Sequence, residues 1–186
     1  MRKLMQIIMI GLIGLNVIAC SNNPIRVGAK YQGGVIAYIF TSKDPGYDPD
    51  VVHGLIAAEA DQSEGTIWCL PENTRVLLET TLTSIGSSLA NTDTIVALNG
   101  TDADYAAKIA RAYMGGGYTD WRLPSRDELH YLFRNQTLVG GFTQGYYWSS
   151  SEGSFDTVWI VAFDAGTKIK VDKASELLPV RAVRSF

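Results

Sequence analysis

The sequence contains few of the residues that mark specialised classes of protein. Its 186 residues include 2 cysteines and 2 histidines. Two cysteines are too few for a disulfide scaffold, and His53 and His130 belong to no metal-ligand motif. Lysine and arginine total 16 against 19 acidic residues, whereas binding to nucleic acid requires clustered positive charge. We therefore expect a protein that binds no nucleic acid and holds no metal.

Sequence signatures of catalysis are also missing. The serines at 149–151 lack the Gly-x-Ser-x-Gly pattern of a nucleophile, and the glycines at 115–117 neither follow a strand nor open a helix, as a phosphate loop does. Cys69 lies in an apolar segment, which is typical of a buried small side chain and not of a reactive thiol. We expect no enzymatic activity and no cofactor. Hydrophobic residues make up 46% of the chain, which predicts a packed globular core.

The N-terminus has the pattern of a bacterial lipoprotein signal peptide. A basic start and an apolar run lead to Val17–Cys20, where a small residue precedes the cysteine. The apolar run is short for a membrane span, which needs about 20 residues. The sequence predicts a signal peptide over residues 1–19, acylation of Cys20 and a lipidated tether over residues 20–30. Ser21 favours the outer membrane of the cell envelope, with the lipid as the membrane anchor.

Residues 31–186 are predicted to form one domain, because no stretch has the composition of an interdomain linker. An apolar run at 35–40 between turn-forming residues indicates a buried strand, and residues 53–58 are expected to be its partner. Ser125 and Glu128 have the spacing of a capping box, which predicts that a helix begins there.

Two further helices are predicted in the middle of the chain. Asn91–Asp93 supply an N-cap for a short helix that ends at Ala97. The apolar spacing of residues 106–113 indicates another helix, which the glycines at 115–117 are expected to end.

From Tyr146 onward the pattern is that of an antiparallel meander. Residues 158–163, which include Trp159, are apolar on both alternating faces, as in a strand covered on both sides. The next strand alternates and is expected at a sheet edge, which its lysines protect from pairing. The only dense basic cluster consists of Lys168, Lys170 and Lys173. Residues 177–183 are predicted to be the last strand. Strands, then helices, then a meander indicate an α+β fold.

Six short motifs follow one another over most of the domain. They are Gly33–Val35, His53–Ala58 with Asp61, Gln62 and Trp68, Asn91–Asp93, Tyr118–Ser125 with Glu128 and Leu129, Tyr147–Ser150 with Trp159 and Phe163, and Val180–Arg184. In this order they resemble the DUF1566 family, which includes the C-terminal domain of the Legionella collagen-like adhesin. The resemblance implies a C-type lectin-like fold of twisted antiparallel sheets with two or three helices, surface display and a binding role.

The aromatic and arginine residues of these motifs are expected to be structural. We predict that Trp121, Trp148 and Trp159 lie in the core, where each indole N–H needs one acceptor. We predict that Arg122, Arg181 and Arg184 pin strands together through carboxylate or carbonyl contacts.

Candidate binding residues are the aromatic and acidic residues near the two glycine-rich loops, which we expect to be exposed. They are Tyr118, Asp120, Tyr146, Tyr147 and Glu152. Aromatic faces stack on sugar rings and carboxylates accept hydrogen bonds from hydroxyls, so this set suits a neutral glycan better than a polyanion.

The sequence favours a surface-anchored, non-enzymatic binding module for a glycan or another envelope component. The alternative is a structural or assembly protein that docks onto a protein partner, such as a fimbrial or secretion component. A cleft lined by aromatic and carboxylate groups favours the first, and a large exposed apolar patch favours the second.

Overall fold

The computed structural model describes residues 25–79 and 82–186, so the predicted signal peptide and Cys20 lie outside the described residues. Within these ranges the fold is α+β with antiparallel sheets, as the sequence predicts. The strands are β1 (Lys30–Tyr31), β2 (Gly34–Ile39), β3 (Gly54–Ala57), β4 (Ser63–Thr66), β5 (Tyr146–Glu152), β6 (Thr157–Ala162), β7 (Lys168–Asp172), β8 (Leu178–Val180) and β9 (Val183–Ser185). The α-helices are α1 (Ser88–Asn99), α2 (Ala106–Ala112), α3 (Arg126–Arg134) and α4 (Gln136–Val139).

Three sheets organise the described residues. The first has the order β1-β2-β3-β9, the second pairs β4 with β8, and the third is the meander β5-β6-β7. The predicted pairing of β2 with β3 and the predicted meander are confirmed. The single last strand predicted over residues 177–183 is wrong. Val180 accepts from Gln62 N and Ala182 accepts from Ala58 N, so the chain changes sheets between β8 and β9.

Apolar side chains cover both faces of the first sheet. Ile36 and Ile56 pack on the side of α1 and α2, whereas Leu55 and Ala57 pack on the side of α3. Successive residues of a strand point to opposite faces, so these continuous apolar runs match a sheet buried on both sides. The N-terminal edge reaches into the predicted tether, because Ala29 is buried and β1 begins at Lys30.

Three tryptophans lie fully buried in the cluster on the α1 and α2 side. Trp68 Nε1 donates to Ser149 O at 2.8 Å, Trp148 Nε1 to Thr66 O at 2.7 Å, and Trp121 Nε1 to Gly115 O at 3.1 Å. The predicted core positions of Trp121 and Trp148 are confirmed.

Trp159 is an exception, and the prediction that it lies in the core is wrong. Its ring is half-buried on the outer face of β6, with Arg126 Cζ and Lys170 Nζ each 5.0 Å from the ring centroid. Val161, on the same face, is fully buried. Apolar side chains therefore cover this face of β6 only at its C-terminal end.

Local sequence determines one of the predicted helix starts, and tertiary contacts determine the other. The capping box of α3 is confirmed, since Glu128 N donates to Ser125 Oγ and Ser125 N donates to Glu128 Oε2. The predicted start of α1 at Asn91–Asp93 is wrong, because the helix begins at Ser88. Asn91 lies inside the helix and donates to Leu82 O at 2.8 Å. No helix within the described ranges is long and apolar enough to cross a membrane.

Candidate functional site

The five predicted binding residues lie in three different environments. Tyr118 and Asp120 meet at one surface cluster, and Tyr146 is 43% exposed on β5. Tyr147 and Glu152 are buried, so the expectation that they are exposed is wrong.

Tyr147 belongs to the core through both its ring and its hydroxyl. The ring lies 4.4 Å from that of Phe163, and the hydroxyl donates to Asp61 Oδ2 at 2.7 Å. Thr143 N donates to the same hydroxyl at 2.8 Å. Burial, aided by the Asp61 carboxylate, raises the pKa of Tyr147 to about 12. The phenol is therefore neutral and structural at physiological pH.

Asp61 also fixes Arg181, whose side chain is fully buried. Arg181 Nε donates to Asp61 Oδ1 at 2.7 Å, and its terminal nitrogens donate to the carbonyls of Ala58, Gly140 and Gly141. The guanidinium carbon lies 4.0 Å from the centroid of the Phe142 ring. Arg181 thus joins the end of β3 to the loop after α4, which confirms the predicted strand-pinning role.

Glu152 is the partner of Lys173, and both side chains are fully buried. Lys173 Nζ donates to Glu152 Oε1. It also donates to the carbonyls of Val76 and Phe155, at 2.9 Å in both cases. Leu78 N donates to the two Glu152 oxygens. A buried charge is tolerated only with a partner and satisfied hydrogen bonds. The prediction of one basic cluster of three lysines is therefore wrong, because Lys173 lies in the core.

Cys69 is buried near this pair. Burial raises the pKa of its thiol to about 11, and the charge of Lys173 offsets only part of that rise. The thiol is protonated at neutral pH, which confirms the prediction of a buried small side chain.

Asp120, Tyr118, Arg184 and Gln32 form a surface group that we call the Asp120 cluster. Arg184 Nε donates to Asp120 Oδ1 at 2.7 Å and its second terminal nitrogen to Oδ2 at 3.1 Å. The other terminal nitrogen donates to Gln32 Oε1 at 2.6 Å. The guanidinium carbon lies 3.9 Å from the centroid of the Tyr118 ring. The Asp120 side chain is 49% exposed, whereas that of Arg184 is 7% exposed.

Close packing of two glycine turns builds this cluster. A Cβ at Gly33, where φ is +85°, would lie 2.5 Å from Gly115 O, and a Cβ at Gly116 would lie 2.5 Å from Gly33 Cα. Only glycine fits such an approach. The turn between β1 and β2 therefore sits directly on the loop that precedes Tyr118, and it holds Gln32 within reach of Arg184.

Electrostatics keep the Asp120 carboxylate ionised. Partial burial pulls its pKa upward, but the hydrogen bonds and charge of Arg184, with the charge of Arg122, hold the pKa below its ordinary value. Arg122 is itself buried and donates to Ser88 Oγ at 2.7 Å. The cluster presents a fixed, charged carboxylate that is half open to solvent.

A second polar feature is a cleft of about 480 Å³ beside the loop after α4. Its lining carries amide, hydroxyl, carboxylate and aromatic groups, namely Gln136, Thr137, Phe142, Gln144 and Asp164. Only the nearby glycines pointed to this loop in the sequence, because no local motif joins these five residues. Within the described ranges, no three acidic, histidine or cysteine side chains are grouped to hold a metal ion.

The chain matches the model of a known protein family. The model of the Lcl C-terminal domain matches residues 58–184, a range that contains Tyr118, Asp120 and Arg184. No curated protein matches the chain. The family match confirms the resemblance to the C-terminal domain of the Legionella collagen-like adhesin.

Proposed function

The chain belongs to the Lcl C-terminal domain family, and we propose that it is a non-enzymatic, adhesin-type binding module of the bacterial cell envelope. Its ligand is a neutral glycan or another hydroxyl-rich envelope component, held at the Asp120 cluster. We propose that its fold is that of a C-type lectin-like domain. The antiparallel α+β architecture supports it.

The observation that carries the proposal is the half-exposed Asp120 carboxylate. Arg184 contacts each of its oxygens once, and a carboxylate has about four acceptor positions. The remaining positions can accept hydrogen bonds from sugar hydroxyls without rearrangement. Because Arg184 already fixes the carboxylate, binding loses little additional side-chain freedom.

Charge supports a neutral ligand over a sulfated one. The chain has a formal charge of −3, and Lys173 is buried in an ion pair. Lys168 is paired with Asp127 at 2.8 Å. A sulfated polymer gains affinity from many free cations, and these two lysines are already paired.

A glycan array tests the proposal with the full chain in detergent. Asp120→Asn removes the charge and should abolish most of the binding to neutral glycans. Asp104→Asn is the matched control, because Asp104 is 76% exposed and pairs with Lys108 on the surface. Equal binding by the two variants, or binding to sulfated glycans alone, would contradict the proposal.

The envelope location rests on the predicted signal peptide. Acylation of Cys20 gives stable anchoring only with two or more acyl chains. Cys20→Ala should leave the precursor uncleaved and without acyl label in cells fed a radioactive fatty acid. Retention of the label by that variant would exclude Cys20 as the lipid anchor.

A structural or assembly role is the second candidate. Leu177, Phe155 and Leu77 are all more than half exposed, and exposed apolar side chains favour protein contacts where they cluster. A pull-down from envelope extracts, run beside the glycan array, separates the two candidates. Capture of one stoichiometric protein with no glycan binding would favour the assembly role.

A further inference from the structure

Strand β7 has a free main-chain edge. It is the outer strand of the third sheet. The hydrogen bonds from Ala162 N to Thr167 O and from Lys173 N to Asp156 O show which residues of β7 bond to β6. Because bonded and non-bonded residues alternate along an antiparallel strand, the N–H and C=O groups of Lys168 and Lys170 point away from β6. Among the residues that the structure describes, none bonds these four groups.

The two faces of this edge differ in chemistry. On one face, Lys170 and Arg126 lie over Trp159, and Asp127 pairs with both Arg126 and Lys168. Asp172, on the same face of β7, is paired with Arg75, and Asp44 lines a groove together with Arg126, Asp127 and Lys168. Four cations against these three carboxylates give this face a small positive excess on an acidic protein. On the other face, the half-buried side chains of Ile169 and Val171 line a groove of about 200 Å³ with Tyr146, Ile160 and Glu176.

We propose that β7 is the docking edge for an extended segment of a protein partner in which acidic and apolar residues alternate. Such a segment extends the sheet by one strand, with main-chain bonds to Lys168 and Lys170. Residues opposite these lysines then lie on the positive face. Their neighbours in the segment point into the groove beside Ile169 and Val171. The inference does not depend on glycan binding at Asp120.

Charge favours such a partner over a second copy of this chain. Asp172 O accepts from Ser175 N at 3.2 Å and from Ser175 Oγ at 2.8 Å, and the Asp172 carboxylate holds Arg75. The free edge is therefore confined to Lys168–Lys170. Two copies paired antiparallel about this segment place lysine opposite lysine, which is unfavourable. Edge lysines also discourage uncharged strands, so the same residues select an acidic one.

The test uses the full chain in detergent and the labelled peptide acetyl-Val-Glu-Val-Glu-Val-amide. We expect saturable binding by fluorescence anisotropy, with slowed hydrogen exchange at the amides of Lys168 and Lys170. A peptide N-methylated at both glutamates, and one with lysine in place of glutamate, should each bind at least about tenfold more weakly.

Lys170→Pro sharpens the test, because the main-chain group that it deletes is an outward N–H that makes no bond to β6. It also removes the lysine side chain, a loss that its control shares. It should weaken peptide binding at least about fivefold beyond its control, Lys170→Ala, which keeps the N–H. Circular dichroism checks the fold, and the N-methylated peptide keeps the test decisive if the proline variant is unfolded.

Equal binding of the N-methylated peptide would overturn the proposal. The proposal would also be overturned if ultracentrifugation showed self-association that Lys170→Pro abolishes. A third contrary result would be displacement of the peptide by a sulfated oligosaccharide together with full binding of the N-methylated peptide.

Discussion

Two regions of the molecule use the same pair of groups, a carboxylate and a long cationic side chain, with opposite consequences. In the interior, Glu152 and Lys173 have no exposed side-chain surface. At the Asp120 cluster, about half of the carboxylate side chain is open to solvent. Both carboxylates contact their cation closely, so the contact itself does not distinguish a structural residue from a binding residue. Exposure does, because it decides whether any acceptor position remains for a ligand.

The energetic roles differ in the same way. Removing one partner of a buried pair leaves an uncompensated charge, which costs about 3–5 kcal/mol. The Asp120 carboxylate is half exposed and screened by water, whereas Arg184 is mostly buried. Replacing the carboxylate by an asparagine amide, whose oxygen still accepts from Arg184, should therefore cost about 1 kcal/mol or less. The buried pairs should therefore respond strongly in stability, and the Asp120 cluster should respond mainly in binding.

The largest effect is expected at Arg181. Arg181→Ala leaves Asp61 buried without its cation and removes the donor from the carbonyls of Ala58, Gly140 and Gly141. We expect the free energy of unfolding to fall by about 3–5 kcal/mol, measured by urea denaturation. Lys108→Ala, at an exposed pair, is the control and should change it by less than about 0.5 kcal/mol. A similar small change in both variants would remove the distinction between the two regions.

The second prediction concerns coupling inside the Glu152 and Lys173 pair. Lys173→Met strands the Glu152 charge and should cost about 3 kcal/mol or more. The double variant with Glu152→Gln removes both charges, so its cost should be about 1–3 kcal/mol smaller than the sum of the single changes. Urea denaturation of the four proteins measures this difference. Strict additivity would mean that the two groups do not interact.

Two helix-capping residues show which contacts can be predicted from the sequence and which cannot. Ser125 and Glu128 are three residues apart, and their spacing alone predicted the cap of α3. Asn91 has the same capping chemistry, yet its acceptor, Leu82 O, is nine residues upstream. A residue that can cap a helix can also bond from inside one, and only the tertiary structure decides which.

The candidate site was predictable to the same degree. Tyr118 and Asp120 are predictable from the sequence as an aromatic and an acidic residue close behind a glycine-rich loop, and they do meet in space. Arg184, which fixes Asp120, comes from 64 residues away, and Gln32 lies 152 residues from Arg184. The prediction that Glu152 is exposed is wrong because its partner, Lys173, lies 21 residues downstream and buries it. The sequence supplied the charged groups, but burial and partner choice depend on packing between distant segments.

A third prediction extends the contrast to two tryptophans in adjacent strands. Trp148 is fully buried, so Trp148→Ala should cost about 3–5 kcal/mol. Trp159 is half-buried under Arg126 and Lys170, and Trp159→Ala should cost only about 1–2 kcal/mol. Thermal and urea unfolding measure both. Equal costs would show that the outer face of β6 is covered in solution.

The smallest effect on stability is expected at Asp120 itself. Asp120→Asn removes a half-exposed charge but keeps an amide oxygen that can accept from the mostly buried Arg184, so the free energy of unfolding at pH 7 should fall by no more than about 1 kcal/mol. The pKa of Asp120 in the folded protein lies below its ordinary value. A group with a lowered folded pKa stabilises the fold above its unfolded pKa of about 3.9, and it loses that contribution as pH falls through the folded pKa.

The difference between the wild type and Asp120→Asn should therefore be constant near neutral pH and shrink below about pH 4. Urea denaturation at a series of pH values measures it, with Asp104→Asn as the exposed control. Together with the glycan array, this measurement tests whether Asp120 acts in binding or in stability. A variant that loses glycan binding while losing almost no stability shows that Asp120 acts on a ligand. A large loss of stability at pH 7 would instead make the Asp120 cluster a structural pair like the buried ones.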